Sequence, residues 1–196
     1  MSISIDLLIK NGLVVTSNGI KRSDIAVKEE KIFSIGSDLS SLSAKKEIDA
    51  TNTYILPGII DVHTHPYYED DFGGLSYTAA WGGTTTIIHY AYAFPGSTVI
   101  EAAEKALEEG GNNSYLDFGL HLGLFEVEKQ YTLIPEVFKL GINTFKMFMA
   151  YAKLGRMTTD YYLAAIMDII AKHNGMAMVH AENGLVTDYL EDTFNA

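Results

Sequence analysis

The sequence predicts an α/β protein in two parts, a small all-β module over residues 1–53 and a βα series over residues 54–196. Before residue 54, short apolar runs are separated by Asn-Gly pairs and a charged turn, the pattern of strands joined by tight turns. After it, β-branched runs alternate with stretches of helical period, which implies a parallel sheet with covering helices. A third observation bears on function: five of the six histidines fall at the ends of the strand-like runs.

The bulk composition excludes several classes. At 196 residues with 47% hydrophobic and 20% charged side chains, the chain can bury a substantial core. A net charge of −11 without any basic cluster argues against nucleic acid or an anionic membrane as partner. With no cysteine, neither a disulfide nor a Cys-based zinc site is possible. Met1 to Asp6 offers no basic leader or cleavable apolar segment, and no run of about 18 apolar residues occurs. The expected location is cytoplasmic.

In the first module, Ile3–Ile9 and Leu13–Thr16 read as strands around Asn11-Gly12, and Asn18-Gly19 marks a second turn. Ile25 and Val27 face Ile32, Phe33 and Ile35 across the turn Lys28-Glu29-Glu30-Lys31. Ser40–Lys46 reads as a polar linker and Glu47–Asp49 as a further short strand. The module is short of apolar residues for covering both faces, so it is expected to pack on something else.

From Tyr54 an apolar run broken by Pro57-Gly58 leads to His63-Thr64-His65. Extended backbone there puts both imidazoles on one face at a strand's carboxyl end. Such a pair either begins a site for zinc or a similar cation, or is a surface pair. Thr84–Tyr90 is a second buried strand ending in His89. Thr98–Leu107 is a helix with a capping box, Thr98 to Glu101, an apolar stripe of Val99, Ala103, Ala106 and Leu107, and Gly110-Gly111 as its stop. Tyr115–Leu122 is a strand carrying His121, Ile134–Leu140 a short helix, and Ile142–Met149 a strand carrying Lys146. Tyr161–His173 is the clearest helix, Met176–His180 a fifth strand, and Leu185–Leu190 the start of another helix. Five such units suit either an open doubly wound sheet or the front of an eight-fold barrel, and no Gly-rich phosphate fingerprint follows the first strand.

In both architectures functional residues collect at the carboxyl ends of strands, where His63, His65, His89, His121, Lys146 and His180 stand. Lys146 is surrounded by apolar neighbours in Thr144-Phe145-Lys146-Met147-Phe148. Burial lowers a lysine's pKa, and the neutral amine is a nucleophile. One outcome is a carbamate formed with carbon dioxide, able to bridge two metal ions. The other is a lysine that reaches solvent, or pairs with Asp61 or Glu182.

Four segments, Pro57–His65, Gly82–Thr85, Gly141–Tyr151 and Val179–Gly184, resemble the dihydropyrimidinase/hydantoinase branch of the amidohydrolase superfamily, in family order and over nearly the whole chain. The resemblance implies the N-terminal part of a metal-dependent hydrolase (β/α)8 barrel, preceded by part of a small β-sandwich. It implies two divalent ions, zinc being expected, bridged by a hydroxide nucleophile and a carboxylated lysine. Carried over by position, His63 and His65 bind one metal, Lys146 is the bridging carbamate, His180 binds the second metal, and Tyr151 binds substrate and stabilises the oxyanion. The substrate class implied is a small cyclic amide, a dihydropyrimidine or hydantoin ring opened to an N-carbamoyl amino acid, in a homo-oligomer. The resemblance leaves His121 as a hydrogen-bonding residue and Glu182 as a support for the site.

There are departures from the family pattern. A further histidine and an aspartate expected from later strands are not among these residues, so the 196-residue chain alone is expected to be inactive. His89 stands where relatives commonly carry an acidic residue. Pro66–Asp71 is shorter than the corresponding loop. An allantoinase- or dihydroorotase-like cyclic amidase, and a non-catalytic relative used for subunit interactions, are the alternatives.

Overall fold

The computed structural model describes residues 4–195, which form two compact units parting between Gly58 and Ile59. The first unit is one mixed sheet of β1 (Ser4–Thr16), β2 (Gly19–Lys28), β3 (Lys31–Gly36), β4 (Ser43–Asp49) and β5 (Tyr54–Ile55). Its order is β3-β2-β1-β4, with β5 also on β1. Two tight turns join the antiparallel strands as the sequence predicts. Gly19 has φ +116 where it pairs with Thr16, and Glu29 and Glu30 take φ +51 and +61 between paired Lys28 and Lys31. Two glutamates are poor residues for left-handed backbone, and the Asp6 carboxylate accepts the Glu29 N–H at 2.7 Å to hold them there.

Three expectations for this unit are corrected. Asn11-Gly12 is a bulge inside the continuous β1, where the pairing register with β2 shifts between Ile9 and Gly12. Asn11 takes φ +65, and its N–H is satisfied by the Asp24 carboxylate at 2.8 Å instead of closing a hairpin. Much of the supposed linker belongs to β4, because Leu42 and Ala44 pack on Ile5, Leu8 and Ala26. Tyr54 and Ile55 pair with Leu13 and Val14 of β1 and so belong to this unit, which puts the division five residues later than residue 53.

The second unit carries five parallel strands paired in chain order: β6 (Ile59–Thr64), β7 (Thr84–Tyr92), β8 (Asp117–Gly123), β9 (Thr144–Phe148) and β10 (Met176–His180). They make the curled half-barrel that the resemblance implies, not the open doubly wound sheet that the βα series alone also allows. The helices are α1 (Phe72–Trp81), α2 (Val99–Asn113), α3 (Val127–Gln130), α4 (Ile134–Phe138), α5 (Asp160–Lys172) and α6 (Gly184–Phe194). Strand alternation divides the side chains. Ala91, Leu120, Leu122, Phe145 and Met147 point outward into a core shared with Val99, Ala103, Ala106, Ile134, Val137, Ile166 and Ile170 of the helices. Each large aliphatic side chain so buried contributes about 1.5–3 kcal/mol.

The α2 capping box forms as predicted: Thr98 Oγ1 accepts the Glu101 N–H at 3.1 Å, and Glu101 accepts the Thr98 N–H at 2.8 Å. Its predicted stop does not form, for α2 runs through both glycines to Asn113. Gly110 is there for contact: a Cβ on it would lie 2.4 Å from the Phe118 ring. Helix α1 has no counterpart in the sequence reading. It begins at Asp71, whose side chain caps Gly74 N–H at 2.8 Å, and buries only Phe72 and Ser76. Among the described residues no helix is long and apolar enough to cross a membrane.

Candidate functional site

The inward face of the half-barrel is set by the same alternation that builds its core. Thr144, Lys146 and Phe148 face inward on β9, leaving Phe145 and Met147 in the outer core. On β7 the inward residues are Tyr90 and Tyr92, and on β10 they are Met178 and His180. His63, His65, Lys146, Tyr151 and His180 therefore line one cavity of about 410 Å³, with Tyr68, Tyr90, Tyr92, Phe125, Phe148 and Arg156 completing its wall.

His63 and His65 reach this wall from a distorted strand end. Asp61 pairs with Ile87 and Thr64 with His89, so β6 carries an extra residue between these two pairs. Three side chains hold the resulting bulge. The Asp61 carboxylate accepts the His63 N–H at 3.0 Å. Val62 turns its carbonyl to His121 Nε2 at 2.9 Å. A carbonyl only accepts, so Nε2 carries the proton and His121 Nδ1 accepts from Thr144 Oγ1 at 2.5 Å. The third is Thr64, whose hydroxyl donates to Ile88 O at 3.1 Å and meets His89 Nδ1 at 2.6 Å.

His121 thus has the hydrogen-bonding role expected of it. His89 does not stand at the rim. β7 continues two residues past the predicted end, and His89 points to the helix side, fully buried against Phe72 at 4.5 Å between ring centroids. With Thr64 donating to Ile88 O, Nδ1–H of His89 donates to Thr64 and Nε2 is left without a partner. Burial pushes this imidazole down to about 4, so it is neutral.

Tyr90 and Tyr92 are the residues that sequence reasoning missed. Tyr90 Oη lies 3.5 Å from His63 Nδ1, and Tyr92 Oη 3.2 Å from His65 Nδ1. With each Nδ1–H given to a phenol, the Nε2 lone pairs are free for a cation. The signal was present as Tyr90-Ala91-Tyr92, an i, i+2 pair that copies the spacing of His63 and His65. Gly123 makes room for it, because a Cβ there would lie 2.2 Å from Tyr92 Cε1.

The electrostatics favour the neutral forms of His65 and Lys146. Burial lowers the His65 pKa, and the nearby His63 and Lys146 charges lower it further. Burial also lowers that of Lys146, whose Nζ lies 5.7 Å from the Phe148 ring centre. The His63 and His65 rings are 5.0 Å apart. Across the cavity Glu182 accepts from His180 Nε2, leaving Nδ1 of that ring for a ligand. Among the described residues no three His, Asp or Glu side chains converge tightly enough to hold an ion. The donor set nevertheless suits a divalent cation, with three imidazoles and one lysine of depressed basicity on a single wall. Tyr151 sits beside His180, 5.2 Å between ring centres, on a backbone of φ +66 that is uncommon for a non-glycine residue and costs about 1 kcal/mol or more.

A curled half-barrel with this rim of imidazole, amine and phenol groups agrees with the amidohydrolase superfamily that the sequence resembles. Relatives and solved structures narrow the class. The D-hydantoinase of Ralstonia pickettii is 39% identical over 202 residues, covering 97% of this chain and 43% of that protein. A D-hydantoinase structure superposes with a TM-score of 0.87 at 38% identity, over 97% of this chain and 43% of the other. The L-hydantoinase (dihydropyrimidinase) structure from Arthrobacter aurescens gives 0.87 at 32% identity, over 97% and 44%. No protein-family model matches the chain. The chain belongs to the dihydropyrimidinase/hydantoinase family, and it spans less than half the length of these relatives.

Proposed function

We propose that this chain supplies one wall of the active site of a cyclic amidase that opens a dihydropyrimidine or hydantoin ring to an N-carbamoyl amino acid. The observation that carries this reading is the meeting of His63, His65, Lys146, His180 and Tyr151 on one cavity. His63, His65 and His180 would hold two divalent ions, zinc by preference, with Lys146 as a carbamate between them. When bound, such ions polarise an amide carbonyl and acidify water. The protein's own part is positional. Tyr90 and Tyr92 orient the two imidazoles through Nδ1, Glu182 orients His180, and depressed basicity prepares the Lys146 amine for carbon dioxide. The Tyr151 phenol, held at the cavity by its left-handed backbone, would donate to the oxyanion as the ring opens.

Self-association belongs to the same reading, supported by exposed Ile59 and Ile60 on β6 and Leu185 and Tyr189 on α6. Assayed by itself, the 196-residue polypeptide is expected not to open the ring, because these residues line the site from one side only. Ring opening above a metal-free control would overturn that expectation.

The test of the site is direct. The protein is loaded with zinc and ¹³C-bicarbonate, and metal content and the carbamate carbon signal are read together. Both should be present in the parent chain and lost in Lys146→Ala. Equal zinc binding by Lys146→Ala, with no carbamate signal in either protein, removes Lys146 from the reading.

A further inference from the structure

Arg156 is one of only two arginines in a chain of net charge −11, and it faces the candidate site. Its guanidinium carbon lies 4.6 Å from the centre of the Phe125 ring. Phe125 stacks on Tyr92 at 4.9 Å and 8°, and Tyr92 in turn reaches His65. The guanidinium is therefore fixed on the aromatic wall, one ring beyond the tyrosine that orients a proposed ligand. Among the described residues it takes part in no salt bridge, whereas eight of the nine ion pairs formed elsewhere use lysine and the other uses His180. Among the described residues no aspartate or glutamate lines the cavity. Five N–H donors in a planar fork, placed over an apolar ring without an acidic partner among the described residues, match a carboxylate presented by a ligand.

We propose that Arg156 selects cyclic amides whose ring substituent ends in a carboxylate, seating that group on the Phe125 side while the ring lies toward His63, His65 and Lys146. The inference rests on the cyclic-amidase reading for the ring itself, and the anion subsite is its addition. An aliphatic or aromatic substituent would meet the same rings, Tyr92, Phe125 and Phe148, but would leave the guanidinium donors without an acceptor. Contact with the Phe125 ring face restrains the guanidinium before ligand arrives, so less side-chain freedom is lost on binding.

The experiment is calorimetric titration of the zinc-loaded chain with three probes: hydantoin-5-acetate, 5-propylhydantoin and succinate. Hydantoin-5-acetate should bind about tenfold or more tightly than 5-propylhydantoin, the scale of a charge-assisted pair. Arg156→Gln should erase the difference without weakening 5-propylhydantoin, and Arg156→Lys should restore part of it. Circular dichroism checks that each variant is folded. Equal binding of the two hydantoins by the parent chain, no binding of either, or an unchanged preference in Arg156→Gln each overturns the proposal. If succinate binds as tightly as hydantoin-5-acetate, the ring contributes nothing; the cyclic-amide reading then fails, and the proposal with it. If 5-propylhydantoin binds equally well, the proposal fails and the amidase reading stands.

Discussion

Replacing His121 with alanine tests whether the bulge that aims His63 is held from outside its own strand. The side chain reaches from β8 past the neighbouring β7 to the Val62 carbonyl, packs on Tyr90 at 5.0 Å between ring centres, and accepts from Thr144. Losing the donor to a half-buried carbonyl costs about 1 kcal/mol, at the low end because water can reach it. Removing a mostly buried ring adds about 1–2 kcal/mol of lost packing. The sum is about 2–3 kcal/mol. At a urea dependence of about 2 kcal/mol per molar, the midpoint should fall by roughly 1–1.5 M. Every tyrosine except Tyr54 lies beyond Gly58, so near-ultraviolet circular dichroism follows the half-barrel specifically. His121→Gln keeps an amide donor and should recover part of the loss. A loss below about 0.5 kcal/mol in His121→Ala, with unchanged hydrogen exchange at the His63 amide, would refute the reasoning.

Two further perturbations follow from the same geometry. His89 is held at about 4 in the folded state by burial, below the ordinary 6.5. As pH falls through 6.5 the unfolded chain takes up a proton that the folded chain refuses. This contribution is therefore complete above about 6.5 and lost progressively down to about 4, by up to about 3 kcal/mol. His89→Leu should flatten the stability–pH curve by one proton over that window, and an unaltered slope by urea titration at pH 4.5, 5.5 and 7 would show the burial argument wrong. Gly123→Ala brings a Cβ against Tyr92, which must swing away from His65. Zinc affinity, read by competition with a chromogenic chelator, should fall about 10-fold or more. Unchanged affinity would mean that Tyr92 does not orient the ligand.

Periodicity picks out the strand-end candidates, and the resemblance gives them their expected roles. His63 and His65 two apart, Lys146 in an alternating apolar strand and His180 at a strand end project to one side of any parallel sheet. The structure brings them to one cavity with Tyr151. What could not be read depended on partners distant in the chain. Nothing local distinguishes His89 from a rim histidine until β7 is known to run on to Tyr92, which reverses which residue is the last to face inward. Gly110-Gly111 has the local look of a helix stop, and only the Phe118 ring across from it shows why a glycine continues the helix there. Asn11 does adopt the left-handed backbone its type suggests, but Asp24, thirteen residues away, decides that the turn becomes a bulge. Helix α1 escaped notice because only Phe72 and Ser76 of its side chains are buried, too few to print an apolar stripe.

The carbonyl of Tyr151 accepts the N–H groups of both Leu154 and Arg156, at 3.1 and 3.2 Å. The segment from phenol to guanidinium is therefore one knot of backbone, not two independent contacts. A substituent that drew Arg156 toward itself would load the same carbonyl that fixes the left-handed turn beneath the phenol. On the proposed reading, the seat of the ring's substituent and that of the phenol would share one backbone support. A change that shifts the backbone of residues 151–156 would, on that reading, disturb the seat of the phenol and that of the guanidinium together.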